Sequence, residues 1–297
     1  MRMNRDAPSC TVDPASIIIL GAGYVGGSLL ARLQEMRKVQ KGTLPFQGER
    51  PLSETAATHR KSASGSCVFD LADESTWTNP PLAGRRVVWT FPAAPLEQVR
   101  AFYGRHLREA SALIVLGSTS AYQMSPAQAA LAPSIRENAP LDTTQPRVQG
   151  EEWLRSRGAT VLRLAGIYGP GREPANWIRR GRIDDGARIV NLIHVDDIVD
   201  AIIAVLEQPQ PACSINVADG EPLAWRDIVA RLRNTGALPP DFVLPESGPG
   251  RYGKRIDAGR LRELMPGHVF RRLGGSGLST QDEDSFPHRT DPGRSAG

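Results

Sequence analysis

The chain has 297 residues, with 36 Lys and Arg against 32 Asp and Glu, a formal net charge of +4 and 40% hydrophobic residues. That is enough for one large α/β domain, with or without a smaller lobe. Cys10, Cys67 and Cys213 are odd in number, far apart and outside any C-x-x-C or Cys/His cluster, which argues against a disulfide framework or a structural zinc site. The cations are dispersed and not interleaved with aromatics, which argues against nucleic acid, and the apolar runs are too short for a bilayer. The opening MRMNRDAPSC has charge but no apolar stretch of a secretion signal, so the expected location is the cytoplasm, with no membrane partner.

In chain order, residues 1–14 are polar and are expected to lack stable structure. A strand is predicted over Ser16 to Leu20 and a helix over Gly26 to Lys38. Further strands are expected at Ser66 to Phe69, Arg86 to Thr90, Ala112 to Leu116 and Thr160 to Leu164, with helices at Pro95 to Ala110 and Gly150 to Arg157. Several of these strands are apolar throughout, as happens when helices cover both faces of a parallel sheet. Beyond Gly166 come Gly/Pro-rich loops, a helix from Asp197 to Glu207, a strand from Ser214 to Val217 and a helix starting near Trp225. The expected fold is therefore α/β, a doubly wound parallel sheet over residues 15–165, with a smaller lobe over 166–273 interleaved with it. Residues 274–297 carry few apolar side chains and are expected to be disordered.

The sharpest local signal is Gly21-Ala-Gly23-Tyr24-Val25-Gly26, directly after the first strand and opening the first helix. In that context Gly21 permits the tight turn, Gly23 lets backbone approach a pyrophosphate, and Gly26 lets the helix pack on the strand. The helix N-terminus would meet the phosphates of a dinucleotide. A tight turn without ligand is the alternative. An acid or an arginine should follow about 20 residues later, to bind a ribose 2′-hydroxyl or a 2′-phosphate. Residues 41–54 resemble an inserted loop there, and the strand end falls on Ala56-Ala-Thr58-His-Arg60-Lys61. Two cations and no acid favour NADP, with NAD possible; Arg60 is the main contact, Lys61 its neighbour and Arg50 the reserve. Asp70, in Phe69-Asp70-Leu-Ala-Asp73, is a candidate acceptor for the adenine amino group, or an N-cap for the next helix.

Taken together, GAGYVG at 21, FDLAD at 69, VVWTFPA at 87, LGSTSAY at 116, LRLAGIYGPGR at 162, HVDDIVDAI at 194, SINVADGEP at 214 and GKRIDAGRLREL at 253 resemble the NAD-dependent epimerase/dehydratase family. These are extended and atypical short-chain dehydrogenase/reductases, and the likeness runs from about Ser16 to Leu278. It implies a Rossmann-type domain with NAD(P) at the first turn, Thr90, Phe91 and Pro92 beside the cofactor, and Ser118 as the hydroxyl that polarises the substrate. One departure stands out. Anchoring on residues 150–154 (GEEWL) places Thr143 where the family's catalytic Tyr stands and Arg147 where its Lys stands. Thr cannot ionise usefully, whereas Arg147 keeps the positive charge.

Tyr122 is the replacement proton donor read from the sequence, paired with Ser118 at a strand end; its alternative is a packed aromatic with a bonded hydroxyl. Tyr168 and Arg172, in a Gly/Pro loop, are the substrate-side candidates. His194 precedes Asp196-Asp197, which read as the N-cap pair of the helix to Glu207, and no metal site is expected. Arg179, Arg180 and Arg182 suit a phosphorylated substrate or a solvated face. The sequence thus points to an NAD(P)-dependent oxidoreductase or epimerase-like enzyme on a small or nucleotide-linked substrate. The alternative is a catalytically silent NAD(P)-binding sensor or scaffold.

Overall fold

The computed structural model describes residues 13, 16–40, 56–57, 69–77, 82–183, 185–246 and 252–274. Arg50, Arg60, Lys61, Cys10, Cys67, most of the expected strand at 66–69 and, but for Asp13 and Gly274, both expected disordered ends lie outside these residues.

Six strands, β1 (Ile17–Leu20), β2 (Ala56–Ala57), β3 (Arg86–Trp89), β4 (Ala112–Ser118), β5 (Thr160–Leu164) and β6 (Ser214–Val217), form one sheet in the order β6-β5-β4-β3-β1-β2. Every ladder in it is parallel. The two faces bury alternate residues of the same strands. Ile17, Ile19, Val88, Ile114, Leu116, Leu162, Ile215 and Val217 share one core with helices α1 (Tyr24–Gln40) and α4 (Val195–Glu207). Ile18, Leu20, Val87, Trp89, Leu113, Val115 and Val161 share the other with α2 (Leu96–Phe102) and with Leu154 of α3 (Pro146–Arg155). A strand apolar at every position is thus buried on both sides, and each such side chain contributes about 1.5–3 kcal/mol. A third apolar cluster, including Tyr168, Ile178, Trp225, Ile228 and Leu232, gathers around residues 168–273 and the helix Trp225–Asn234.

Four expectations are corrected. The helix expected over 95–110 ends at Phe102 and continues as a wider π-type turn over Tyr103–Leu107. Helix α3 starts at Pro146 rather than Gly150, because Pro at the first helical position needs no hydrogen-bond partner. The N-cap of α4 is His194, whose Nδ1 accepts from Asp196 N at 3.2 Å; Asp196 and Asp197 already lie inside the first turn. Asp70 is not a helix cap: its carboxylate accepts from Ala72 N, and Asp73 caps the short turn at Glu74–Thr76.

Short pairings complete the molecule. Leu223–Ala224 and Tyr252–Gly253 flank Arg188–Val190, Ser134–Ile135 pairs with Arg255–Ile256, and Gly166–Tyr168 pairs with Leu192–His194. Strands of two or three residues carry no periodicity, which is why the sequence did not show them.

Candidate functional site

From β1 the chain steps outward to β2 and then crosses back to β3 on the other side of β1, so the strand order reverses there, and in open α/β sheets ligands bind outside the carboxyl ends of the strands at that point. The glycine turn follows β1 there. Gly21 has φ +99°, in the left-handed region, and a Cβ on it would lie 2.6 Å from Thr90 Oγ1. A Cβ on Gly26 would lie 1.9 Å from Gly21 O, so helix and turn touch backbone to backbone. Gly23 is different: its φ is not positive, it is exposed, and an added Cβ would meet nothing within 4 Å. The fold explains two of the three glycines. Gly23 stands directly before α1, a position that favours glycine, and leaves open space in front of the turn.

The strand next to the turn is tied to it. Thr90 Oγ1 donates to Gly21 O at 2.8 Å, with Leu20 O 3.0 Å away. Phe91 packs tilted against Trp89, ring centroids 4.9 Å apart, and Pro92 is exposed. A Cβ on Gly150 would lie 1.8 Å from Ala93 O, so α3 presses directly on this segment. Thr90, Phe91 and Pro92 therefore stand beside the glycine turn, while Val25 is buried behind it. Tyr24 donates to Pro170 O at 3.0 Å, and the Arg172 guanidinium lies 5.0 Å from its ring centroid. This joins the Gly/Pro loop at 169–172 to the N-terminus of α1 and sets an exposed cation near it. Tyr168 is turned the other way. Its hydroxyl donates to Arg271 O at 2.9 Å, its ring packs on His194, and burial raises its pKa, so it does not face this side.

Ser118 ends β4, one strand over. Its Oγ accepts from Ser120 N at 3.1 Å, which leaves the hydroxyl hydrogen available to an incoming oxygen. Arg147 donates through Nε and Nη2 to Glu151 Oε1, both at 3.0 Å. Glu151 is fully buried, and a Cβ on Gly117 would come 2.7 Å from its other oxygen, so the pair lies against β4 beside Ser118. Burial pushes the Glu151 carboxyl up, opposed by Arg147. Thr143 is exposed in the turn before α3.

The structure places Tyr122 away from that role. It is 3% exposed and donates to Asn216 Oδ1 at 2.5 Å, and burial pushes its pKa up to about 12. A hydroxyl so committed releases its proton with difficulty, and the packed-aromatic alternative describes it. Tyr122→Phe is accordingly expected to leave NADPH affinity unchanged and to destabilise the fold by about 1–3 kcal/mol, because a buried acceptor loses its donor. Urea unfolding and calorimetry read the two quantities; weakened NADPH binding with unchanged stability would reverse the assignment. Arg179 bonds to Ala237 O and, within the helix Pro174–Arg179, to Asn176 Oδ1, while Arg180 and Arg182 are exposed. Asp70 lies at the edge of the second core, beside buried Phe69.

Sequence reasoning missed Lys254, whose Nζ donates to Thr119 O at 2.5 Å, one residue past Ser118. The signal was its residue type, in a chain that builds nearly all its cations from arginine.

No family model matches the chain. Protein YeeZ of Escherichia coli strain K12 is 31% identical over 153 residues, 50% of this chain and 54% of YeeZ. The match thus spans about half the length of that curated relative. Among solved structures, a protein of Methylobacillus flagellatus described as an NAD-dependent epimerase/dehydratase superposes with TM-score 0.62 at 21% identity, covering 84% of this chain and 90% of its own. MoeE5 in complex with UDP-glucuronic acid and NAD gives 0.64 at 15% identity, covering 86% and 94%. The chain has the fold of the NAD-dependent epimerase/dehydratase family. Among the described residues, no helix of this epimerase/dehydratase-like chain is long and apolar enough to cross a membrane.

Proposed function

We propose that the protein is a nicotinamide-dependent oxidoreductase or epimerase-like enzyme of the atypical kind, which works without the usual Tyr-x-x-x-Lys pair. The observation that carries the cofactor assignment is the open space in front of the exposed Gly23, at the N-terminus of α1 and the switch point of a doubly wound sheet. The residues present fit the group. The α1 N-terminus and the Gly21 to Gly26 amides would hold its diphosphate, with Tyr24 and Arg172 alongside; Asp70 would meet the adenine, and Thr90, Phe91 and Pro92 would line the path towards Ser118. When bound in its reduced form, the nicotinamide supplies a hydride. Ser118 would hold the substrate oxygen, and Arg147, anchored by Glu151, would keep positive charge beside it. The substrate is a small or nucleotide-linked carbonyl or alcohol, in keeping with the UDP-sugar that MoeE5 carries. A cytoplasmic location fits the free thiol of Cys213.

NADP(H) is the preferred form in this reading, through Arg60 and Lys61 after β2, which pairs with β1 as the strand bearing the selector should. Calorimetric titration tests it. Wild-type protein is expected to bind NADPH more tightly than NADH, and Arg60→Ala to weaken NADPH by about tenfold or more while sparing NADH, since one charge-assisted hydrogen bond is worth about 1.5–3 kcal/mol. An unchanged ratio in Arg60→Ala removes Arg60 and transfers the test to Arg50. The committed hydroxyl of Tyr122 is the one observation favouring the second reading, a silent NAD(P)-binding sensor or scaffold. NADPH oxidation across a panel of aldehydes and ketones separates the two, because the sensor shows none.

A further inference from the structure

With Tyr122 buried and Thr143 unable to ionise, the reading above has a substrate oxygen at Ser118 and no proton for it. Only four of the 36 cations are lysines, Lys38, Lys41, Lys61 and Lys254, so Lys254 is the single lysine in the last 236 residues. Arginine never gives up its proton at ordinary pH, whereas an ammonium does so readily when desolvated. A chain that otherwise chooses arginine has its one remaining lysine beside Ser118.

The position of Lys254 is built from both sides. Asn191 Nδ2 donates to Lys254 O at 2.8 Å, and Asn191 Oδ1 accepts from Ile256 N at 2.8 Å, so one side chain clamps the backbone around it. Asn191 O in turn accepts from Gly166 N at 2.9 Å, just past the end of β5. The strand pairings of Tyr252–Gly253 and Arg255–Ile256 hold its two flanks. The side chain is thereby delivered to the carboxyl edge of the sheet, where Nζ reaches Thr119 O and lies 5.8 Å from the Tyr122 ring centroid.

Several buried or half-buried cations pair with carboxylates, Arg147 with Glu151, Arg163 with Glu152, Arg226 with Glu246 and Arg231 with Glu221, whereas Arg233 donates to the carbonyls of Pro240 and Phe242. Lys254 is half-buried, and among the described residues no carboxylate lies within ion-pair distance of it. Around it stand the Tyr122 ring, with Arg163 5.5 Å from that ring, and its own neighbours Arg255 and Asp257, the latter paired with Arg136. Thr119 O takes one of its three N–H groups, leaving two for a ligand. Burial alone lowers its pKa from the usual lysine value.

We propose that Lys254 is the catalytic acid-base of this site, binding the substrate oxygen beside Ser118 and exchanging a proton with it; Asn191 is its positioning residue. In the reducing direction a bound reduced nicotinamide would supply the hydride to the carbonyl carbon, and the oxygen, taking up the C=O π pair, would take a proton from Lys254 Nζ. The products are an alcohol, a neutral amine that water reprotonates, and oxidised nicotinamide. The reverse direction returns the proton to the amine. This rests on the oxidoreductase reading.

The test uses the full chain, reductively methylated with ¹³C-formaldehyde, so that all four lysines are followed by NMR as pH rises. The Lys254 signal is identified by its loss in Lys254→Arg, with circular dichroism confirming that variant's fold. It is expected to titrate below the other three, and to move further down with NADP+ than with NADPH, because an oxidised nicotinamide ring is a cation. A lysine held away from the nicotinamide would respond equally to both. In any turnover found in the carbonyl panel, Lys254→Met is expected to lower kcat by about 10²–10⁴ with NADPH affinity unchanged, and Lys254→Arg not to restore it. Titration together with the other lysines, an equal response to the two cofactors, or turnover unaffected by Lys254→Met overturns the proposal. Absence of cofactor binding in calorimetry instead brings down the oxidoreductase reading, and this proposal with it.

Discussion

Gly23→Val is expected to abolish NADPH binding in a protein that still folds. The valine methyls would occupy the space in front of the turn, which nothing in the chain uses: an added Cβ at 23 meets no atom within 4 Å. Folding therefore loses little, apart from the helix-start preference of the residue. Binding loses the close approach of backbone amides to phosphate oxygens. Two charge-assisted hydrogen bonds at about 1.5–3 kcal/mol each correspond to a loss of about 100-fold or more. Gly26→Val is the contrasting control. Its Cβ would sit 1.9 Å from Gly21 O, so the helix must move off the strand and stability falls along with binding. Calorimetry with NADPH on both variants, alongside urea unfolding, gives the comparison. Wild-type affinity in a folded Gly23→Val protein would show that no diphosphate lies on this turn.

Asn216→Ala is expected to be the most damaging single polar change in the interior. Asn216 is fully buried on β6; its amide group donates to Ile135 O at 3.2 Å and Asp257 O at 3.1 Å, and its oxygen accepts from Tyr122. It thereby ties the main sheet to the paired segments at 134–135 and 255–256. Truncation strands one hydroxyl donor and two carbonyl acceptors where little water reaches them. At about 1–3 kcal/mol per unsatisfied group, partly relieved by relaxation, the loss is roughly 3–5 kcal/mol. Urea unfolding measures it. Combining Asn216→Ala with Tyr122→Phe should cost less than the sum of the two single changes, because both remove the same hydrogen bond. A loss under about 1 kcal/mol would mean the network is replaceable by water.

The sheet and the glycine turn were legible in the sequence because both are local. Apolar runs such as Ile17–Leu20 state their own burial on both faces, and a strand followed at once by Gly21, Gly23 and Gly26 implies a turn and a helix start whatever the rest of the chain does. Ser118, named through the family resemblance, lies at the end of β4, two residues beyond the predicted strand. The strand end at 56–57 was found too, although the residues that would choose between NAD and NADP lie beyond what the structure describes.

What the tertiary structure decided is which polar groups already have partners. Tyr122 and Tyr168 look like available hydroxyls in sequence, yet Asn216 and Arg271, 94 and 103 residues further on, have taken them. His194 displaced Asp196 and Asp197 as the helix cap because Asp197 is drawn to His268 and Arg271 across the fold. Lys254 reaches the site through a strand pairing with residue 134 and a clamp from residue 191, neither of which leaves a periodic trace. The sequence carries short-range pattern; hydrogen-bond partners separated by about a hundred residues are settled only when the chain closes on itself, since each polar group goes to the partner that burial leaves within reach.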